Sequence, residues 1–310
     1  MRKFSAIYSV IGAVGMLGAN SAAPVSAQAP TLTQKMNAYV GCINRLSARS
    51  YDSRARYFSW VGKNGPTGKE RIIYGTYTTY DTSDCRRNVE KANALEPREA
   101  ALEGAASAYV EAVTTLEPLL KEADDYYKQQ DYKDDKMAKG RALHPRLVAA
   151  WDAFASADKM LRAGIDVIQD KRAVERLAEI ERSEGRQARF HVEALMIGAK
   201  QVFRAQSADP PDAARITAAL AEYEGMVKAT EAYAETNKGS KISSGLVSSA
   251  KSFLVTAKLL MRRVRDKVPY SQGDRMMLNS GGGWMVEGSP PRLTRDYNQL
   301  VDAYNRGSRL

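Results

Sequence analysis

The stretch LVAAWDAFASADKMLRAGIDVI, Leu147 to Ile168, decides the fold class. Leu147, Trp151, Phe154, Leu161, Ile165 and Ile168 follow one another at steps of 4, 3, 7, 4 and 3, which lines them along one face of an α-helix. The same period returns in Ile216, Leu220, Tyr223 and Val227, in Leu246, Phe253, Leu260 and Val264, and in Leu293, Tyr297, Leu300 and Tyr304. Each helix has an apolar stripe that needs a partner. Antiparallel packing of long helices in an all-α bundle, joined by a few irregular connectors, is the simplest solution.

Helix boundaries are legible around these stripes. Asp209 before Pro210-Pro211 reads as one start, Asn237-Lys238-Gly239-Ser240 as a break, and Pro290-Pro291 as the start of the last helix. Glu184-Gly185 is placed to interrupt the long pattern that begins at Pro145. Arg262, Arg263, Arg265 and Lys267 crowd a helix end, where cations complement the exposed carbonyls. Val61–Lys69 is rich in turn formers, and Lys267–Ser289 reads as a long loop that Trp284 and Met285 pin to the bundle. Its Gly281-Gly282-Gly283 run lacks the preceding strand and the following GKS or GKT of a phosphate cradle. Arg71–Tyr80 (RIIYGTYTTY) is β-prone by composition and equally compatible with an ordered connector.

Residues 1–27 read as a secretory signal peptide. Arg2 and Lys3 precede a mostly apolar run from Ala6 to Ala19, and Val25-Ser26-Ala27 fits a small-residue cleavage site. That run is too short to span a bilayer, and no later segment has the apolar character of a membrane span. The expected location is periplasmic or secreted, with 28–310 as the helical domain. The formal net charge is +10, of which the leader removes only Arg2 and Lys3. An exported basic chain meets anionic envelope components rather than nucleic acid. Cys42 and Cys85 are the two cysteines present. In an oxidising compartment an isolated pair bonds to itself, and closing that loop is worth about 4 kcal/mol on chain-entropy grounds.

One tract gathers side chains able to carry chemistry: YYKQQDYKDDKMAKGRALHP, Tyr126 to Pro145. Tyr126, Tyr127, Asp131, Tyr132, Asp134, Asp135 and His144 are the candidate ligand-binding residues. Carboxylates with a histidine suit a hard-cation or mixed-ligand site, or a general base oriented by a carboxylate. The spacing matches no recognised ligand interval. A structural reading accounts for most of the tract: a helix ends near Tyr132, and Asp134 or Asp135 caps the next. His144-Pro145 then marks a kink or second start, and the tyrosines cover the bundle end with rings buried and hydroxyls wet. His191, within a helical pattern, reads as a packing residue. No G-x-S-x-G, H-E-x-x-H, C-x-x-C or C-x-x-C-H motif occurs, and nothing in the sequence calls for a cofactor or a resident metal.

Further motifs surround this tract: Asn37-Ala38-Tyr39 with Cys42, Asp52-Ser53-Arg54-Ala55-Arg56-Tyr57 leading to Trp60, Gly65-Pro66-Thr67-Gly68-Lys69-Glu70, and Tyr80-Asp81 with Cys85. With the tract and the helix through Trp151 and Phe154, they resemble the YiiG-like family of bacterial envelope proteins, whose domain has no assigned function. The resemblance implies an all-helical envelope domain with no established activity, and it supports the cysteine pairing. Many relatives resemble lipoproteins with a cysteine at the cleavage site, whereas Ala27-Gln28 offers none to acylate. The expectation is therefore an untethered, non-enzymatic binding or interaction module whose partner is an envelope protein or an anionic envelope component. The alternative is a metal- or ligand-dependent enzyme using the Tyr126–His144 tract.

Overall fold

The computed structural model describes residues 28–208 and 211–307. The expected signal peptide and the Asp209-Pro210 helix start lie outside the described residues. Those described are all-α, with no β-strand among them. The nine helices are α1 (Gln28–Phe58), α2 (Ser83–Asn93), α3 (Ala100–Gln129), α4 (Ala138–Glu184), α5 (Ala188–Ser207), α6 (Ala213–Thr236), α7 (Ser244–Arg265), α8 (Gln272–Asn279) and α9 (Pro290–Gly307). Single 3-10 turns cover Asp131–Lys133 and Gly283–Met285. The chain forms two compact units, one ending at Ile168 and the other beginning at Gln169, so the division falls inside α4.

In the first unit, α1, α2, α3 and the first part of α4 close around one core. Leu147, Trp151, Phe154, Leu161, Ile165 and Ile168 all lie in it, with Tyr39, Leu46 and Tyr57 of α1 and Tyr109, Leu116 and Leu120 of α3. Cys42 and Cys85 are buried there and joined by a disulfide, with Cα atoms 5.2 Å apart. Two clusters of buried charge are also built in. Lys35 donates to Glu103 and to the Pro97 carbonyl at 2.8 Å. Asp158 accepts from Ser47 Oγ (2.7 Å), Arg162 Nε (2.9 Å) and Tyr51 OH (3.1 Å).

The β-prone segment Arg71–Tyr80 forms no strand, and the side chains of α1 take the place of a neighbouring strand. Trp60 Nε1 donates to Gly75 O (3.0 Å), Arg56 Nε to Tyr74 O (2.8 Å), Ser53 Oγ to Tyr77 O (2.6 Å) and Arg49 Nε to Thr78 O (2.9 Å). Arg49, Ser53 and Arg56 share one face of α1 and Trp60 lies in the turn just after it, so these side chains satisfy the carbonyls of the segment laid along them. Gly75 makes the approach feasible: its φ is +67°, and a Cβ there would sit 3.1 Å from Tyr127 Cβ. Gly75→Ala is expected to cost about 2 kcal/mol, through the left-handed backbone and the crowding of Tyr127. Gly41→Ala, on α1 with open space around it, is expected to stabilise by about 0.5–1 kcal/mol. Urea denaturation of the two variants checks the opposite signs.

In the second unit α5, α6, α7 and α9 share a separate core. Ile216, Leu220, Tyr223 and Val227 are all buried in it, as are Leu246, Phe253, Leu260, Leu293 and Leu300. Val264, Tyr297 and Tyr304 pack against its edge. This unit adds detail to the sequence expectations. The cap of α6 is Asp212, whose carboxylate accepts from Ala214 N (3.0 Å) and Arg215 N (3.1 Å). The Lys267–Ser289 segment is partly helical, carrying α8 with a capping box between Ser271 and Asp274. Trp284 and Met285 are 45% and 44% exposed, with the Arg295 guanidinium of α9 over the Trp284 ring at 4.9 Å; Gly283, Val286, Gly288 and Ser289 are the buried residues from Gly281 to Pro290. Arg263 does more than complement a helix end, since it donates to the Pro269 carbonyl (3.1 Å) and lies over the Tyr270 ring at 4.3 Å. Gly185, at φ +75°, follows the end of α4 as expected.

Candidate functional site

The Tyr126–Pro145 tract is spent largely on structure. α3 ends at Gln129, before Tyr132, and a 3-10 turn carries Asp131, Tyr132 and Lys133. Asp135, not Asp134, caps α4, accepting from Lys139 N (2.8 Å), Ala138 N (3.2 Å) and Tyr126 OH (2.8 Å). Partial desolvation opposes ionisation of Asp135, but these donors outweigh it and hold the carboxyl below the usual range. Asp134 is exposed, and Asp131 and Tyr132 are half-buried. Burial pushes the Tyr127 hydroxyl well up. It is sealed in without a hydrogen-bond partner rather than wet. α4 runs unbroken through Pro145, so His144-Pro145 is not a second start.

Both ring nitrogens of His144 are occupied. Nε2 donates to the Lys63 carbonyl at 3.2 Å, and Nδ1 meets the Tyr57 hydroxyl at 3.0 Å. Burial pushes that hydroxyl up to about 12. Gly65, at φ +91°, lies so close that a Cβ would meet the His144 ring at 3.1 Å. The histidine thus fastens the Val61–Lys69 turn to α4. The structure brings Tyr126 to Asp135, and Tyr57 to Tyr127 and His144. No group of three His, Cys, Asp or Glu side chains able to hold a metal occurs among the described residues. His191 packs on Tyr233, ring centroids 4.7 Å apart.

A different surface has uncommitted groups. Where Arg71–Tyr80 lies along α1, a shallow groove of about 520 Å³ is lined by Arg49, Asp52, Arg56, Ser59, Tyr74 and Tyr77. The guanidinium carbons of Arg49 and Arg56 lie 4.1 and 4.4 Å from the centroid of one ring, that of Tyr77. Arg56 Nη1 also donates to the Tyr77 hydroxyl at 2.9 Å. Backbone carbonyls take each Nε, which fixes both half-buried guanidiniums at the groove wall. Two positive charges held on one aromatic ring make a preorganised anion site.

These features can be set beside known proteins. A family described as "protein of unknown function (DUF3829)" matches residues 31–306, nearly the whole described chain. The chain belongs to the DUF3829 family. It is also 37% identical over 289 residues to the "Uncharacterized protein YiiG" of Escherichia coli (strain K12), covering 92% of this chain and 81% of that protein. No solved structure matches.

In this DUF3829 chain the motif Asp52-Ser53-Arg54-Ala55-Arg56-Tyr57 divides its labour. Ser53 and Arg56 hold the extended segment, Arg54 pairs with Asp152 at 2.7 Å, and Tyr57 holds His144. Asp52 has no hydrogen bond or ion pair among the described residues and opens into the groove. The GPTGKE motif is a turn, in which Glu70 accepts from Thr67 Oγ1 and Gly68 N, each at 2.8 Å. Sequence reasoning passed over the groove. The available signal was the seven-residue spacing of Arg49 and Arg56 with the three-residue spacing of Tyr74 and Tyr77. Only the docking of the second segment on the first joins them.

Proposed function

We propose that this chain is an exported, non-catalytic binding module of the cell envelope that holds an anionic envelope component in the Arg49–Arg56 groove. The observation that carries the reading is the pair of guanidiniums fixed on the Tyr77 ring in the wall of a solvent-open groove. The sequence's positive charge balance, its leader pattern and the buried disulfide support an extracytoplasmic setting. The absence of a helix long and apolar enough to cross a membrane among the described residues is compatible with that setting. The committed hydrogen bonds of His144 and Asp135 argue for binding rather than turnover.

The test is retention of the purified mature chain on dextran sulfate as salt is raised. Binding is expected to weaken steeply with ionic strength and to fall at least tenfold in the Arg49→Ala, Arg56→Ala double variant. The double variant Lys133→Ala, Lys136→Ala removes the same charge from an exposed surface outside the groove and is expected to bind nearly as wild type. Equal losses in the two double variants would overturn the groove as the site.

A further inference from the structure

We infer that the ligand of this groove is an acidic oligosaccharide, an inference that rests on the anion-binding reading above and names the chemistry of its partner. Three groups in the groove ask for three different things. The guanidiniums of Arg49 and Arg56 present planar donors suited to a carboxylate. Tyr74 is an exposed aromatic residue, 48% accessible. Arg56 Nε fixes the Tyr74 carbonyl and its guanidinium carbon lies 5.8 Å from the Tyr74 ring centroid, so this exposed ring sits on an anchored backbone rather than on a loose loop. Asp52 lies on α1 between the two arginines, three residues after Arg49 and four before Arg56. It is an exposed carboxylate without a partner among the described residues.

Asp52 decides the class. A bare sulfate or fully ionised phosphate group offers Asp52 no hydroxyl donor to offset the repulsion between like charges. A neutral sugar satisfies Asp52 through a hydroxyl donor and Tyr74 through its apolar ring face, but leaves the guanidiniums without a charged acceptor. A sugar bearing a carboxylate supplies all three: an acid group for the arginines, hydroxyl protons for Asp52, and a ring face for Tyr74. Ser59 Oγ donates to the Arg56 carbonyl at 2.7 Å and keeps its lone pairs for a further hydroxyl. The groove is polar, shallow and open to solvent, as suits a ligand bound by charge and hydroxyl contacts along a surface. It follows an extended backbone segment, which suits a short linear chain of sugars.

Calorimetric titration of the full mature chain with trigalacturonate, maltotriose and phosphatidylglycerol vesicles separates the possibilities. Trigalacturonate is expected to bind, and neutral maltotriose at least tenfold more weakly. Tyr74→Ala and Asp52→Asn are each expected to weaken trigalacturonate about tenfold, while Asp52→Asn leaves vesicle or dextran sulfate binding equal or tighter. Both residues are exposed, and an unchanged far-ultraviolet circular dichroism spectrum confirms that the variants fold. If vesicles or dextran sulfate bind through the arginines while trigalacturonate does not, the glycan assignment falls and the anion groove stands. The same holds if Asp52→Asn tightens trigalacturonate. If no anionic probe binds the wild type, both fall.

Discussion

Glu103→Ala is expected to lower the stability of the first unit by about 3–5 kcal/mol, because it strands a fully buried lysine. Lys35 Nζ has two partners, the Glu103 carboxylate and the Pro97 carbonyl, and its side chain is 0% exposed. Removing the carboxylate leaves an ammonium in the interior with a single acceptor. In a unit of this size the loss corresponds to a fall in melting temperature of about 10 °C or more. Lys35→Met combined with Glu103→Gln is expected to recover most of it, because a neutral pair carries no uncompensated charge. If Glu103→Ala melts within about 2 °C of wild type, or if the double variant is no better than Glu103→Ala, the buried pair is not what holds this corner.

The same carboxylate gives the pH dependence a sign. Hydrogen bonds from Arg98 outweigh the desolvation that would raise its pKa. Together with Lys35 and the Glu99 amide, they bring the Glu103 carboxyl from an ordinary 4.5 down to about 2. The unfolded chain therefore takes up the proton first. The stabilisation from Glu103 is complete above about pH 4.5 and is lost as pH falls from there through 2. Denaturant titrations at a series of acidic pH values should show this slope in the wild type and a shallower one in Glu103→Gln.

Breaking the disulfide is the second large effect. Cys42 and Cys85 lie 43 residues apart and fasten α1 to α2 across the extended segment that completes the groove. Cys42→Ala with Cys85→Ala is expected to destabilise the first unit by about 2–5 kcal/mol. The second unit contains neither cysteine, so its own transition should be untouched by the substitution or by reductant. Tryptophan fluorescence separates the two. Trp60 and the fully buried Trp151 report on the first unit, and Trp284, 45% exposed, reports on the second. A shift confined to the second unit, or no shift in the first, would contradict the assignment.

These residues also show how far the sequence was legible. The apolar stripes of α4, α6, α7 and α9 could be read because a helix buries every third or fourth residue whatever it packs against. Asp135 could be narrowed only to one of two adjacent carboxylates, because capping depends on a backbone turn whose exact residue local preference does not set. The Lys267–Ser289 segment was misjudged because its glycines and prolines flank a helix of only eight residues. That is too short for a periodic signal.

The candidate site divides the same way. Sequence pattern singled out the Tyr126–His144 tract because its chemistry-bearing residues are close in the chain, and the fold commits several of them to caps and packing. The groove was invisible because its parts are separated in sequence: Arg49, Asp52 and Arg56 on α1, Tyr74 and Tyr77 on a segment with no periodic preference. By itself the sequence determined the all-α class, the helical stripes and the pairing of two cysteines, since each follows from local periodicity or from having one possible partner. Only the tertiary structure decided that α1 side chains would act as the missing strand for Arg71–Tyr80. That choice depends on long-range hydrogen bonds and on Gly75 clearing Tyr127, and it alone brings the arginines and tyrosines into one site.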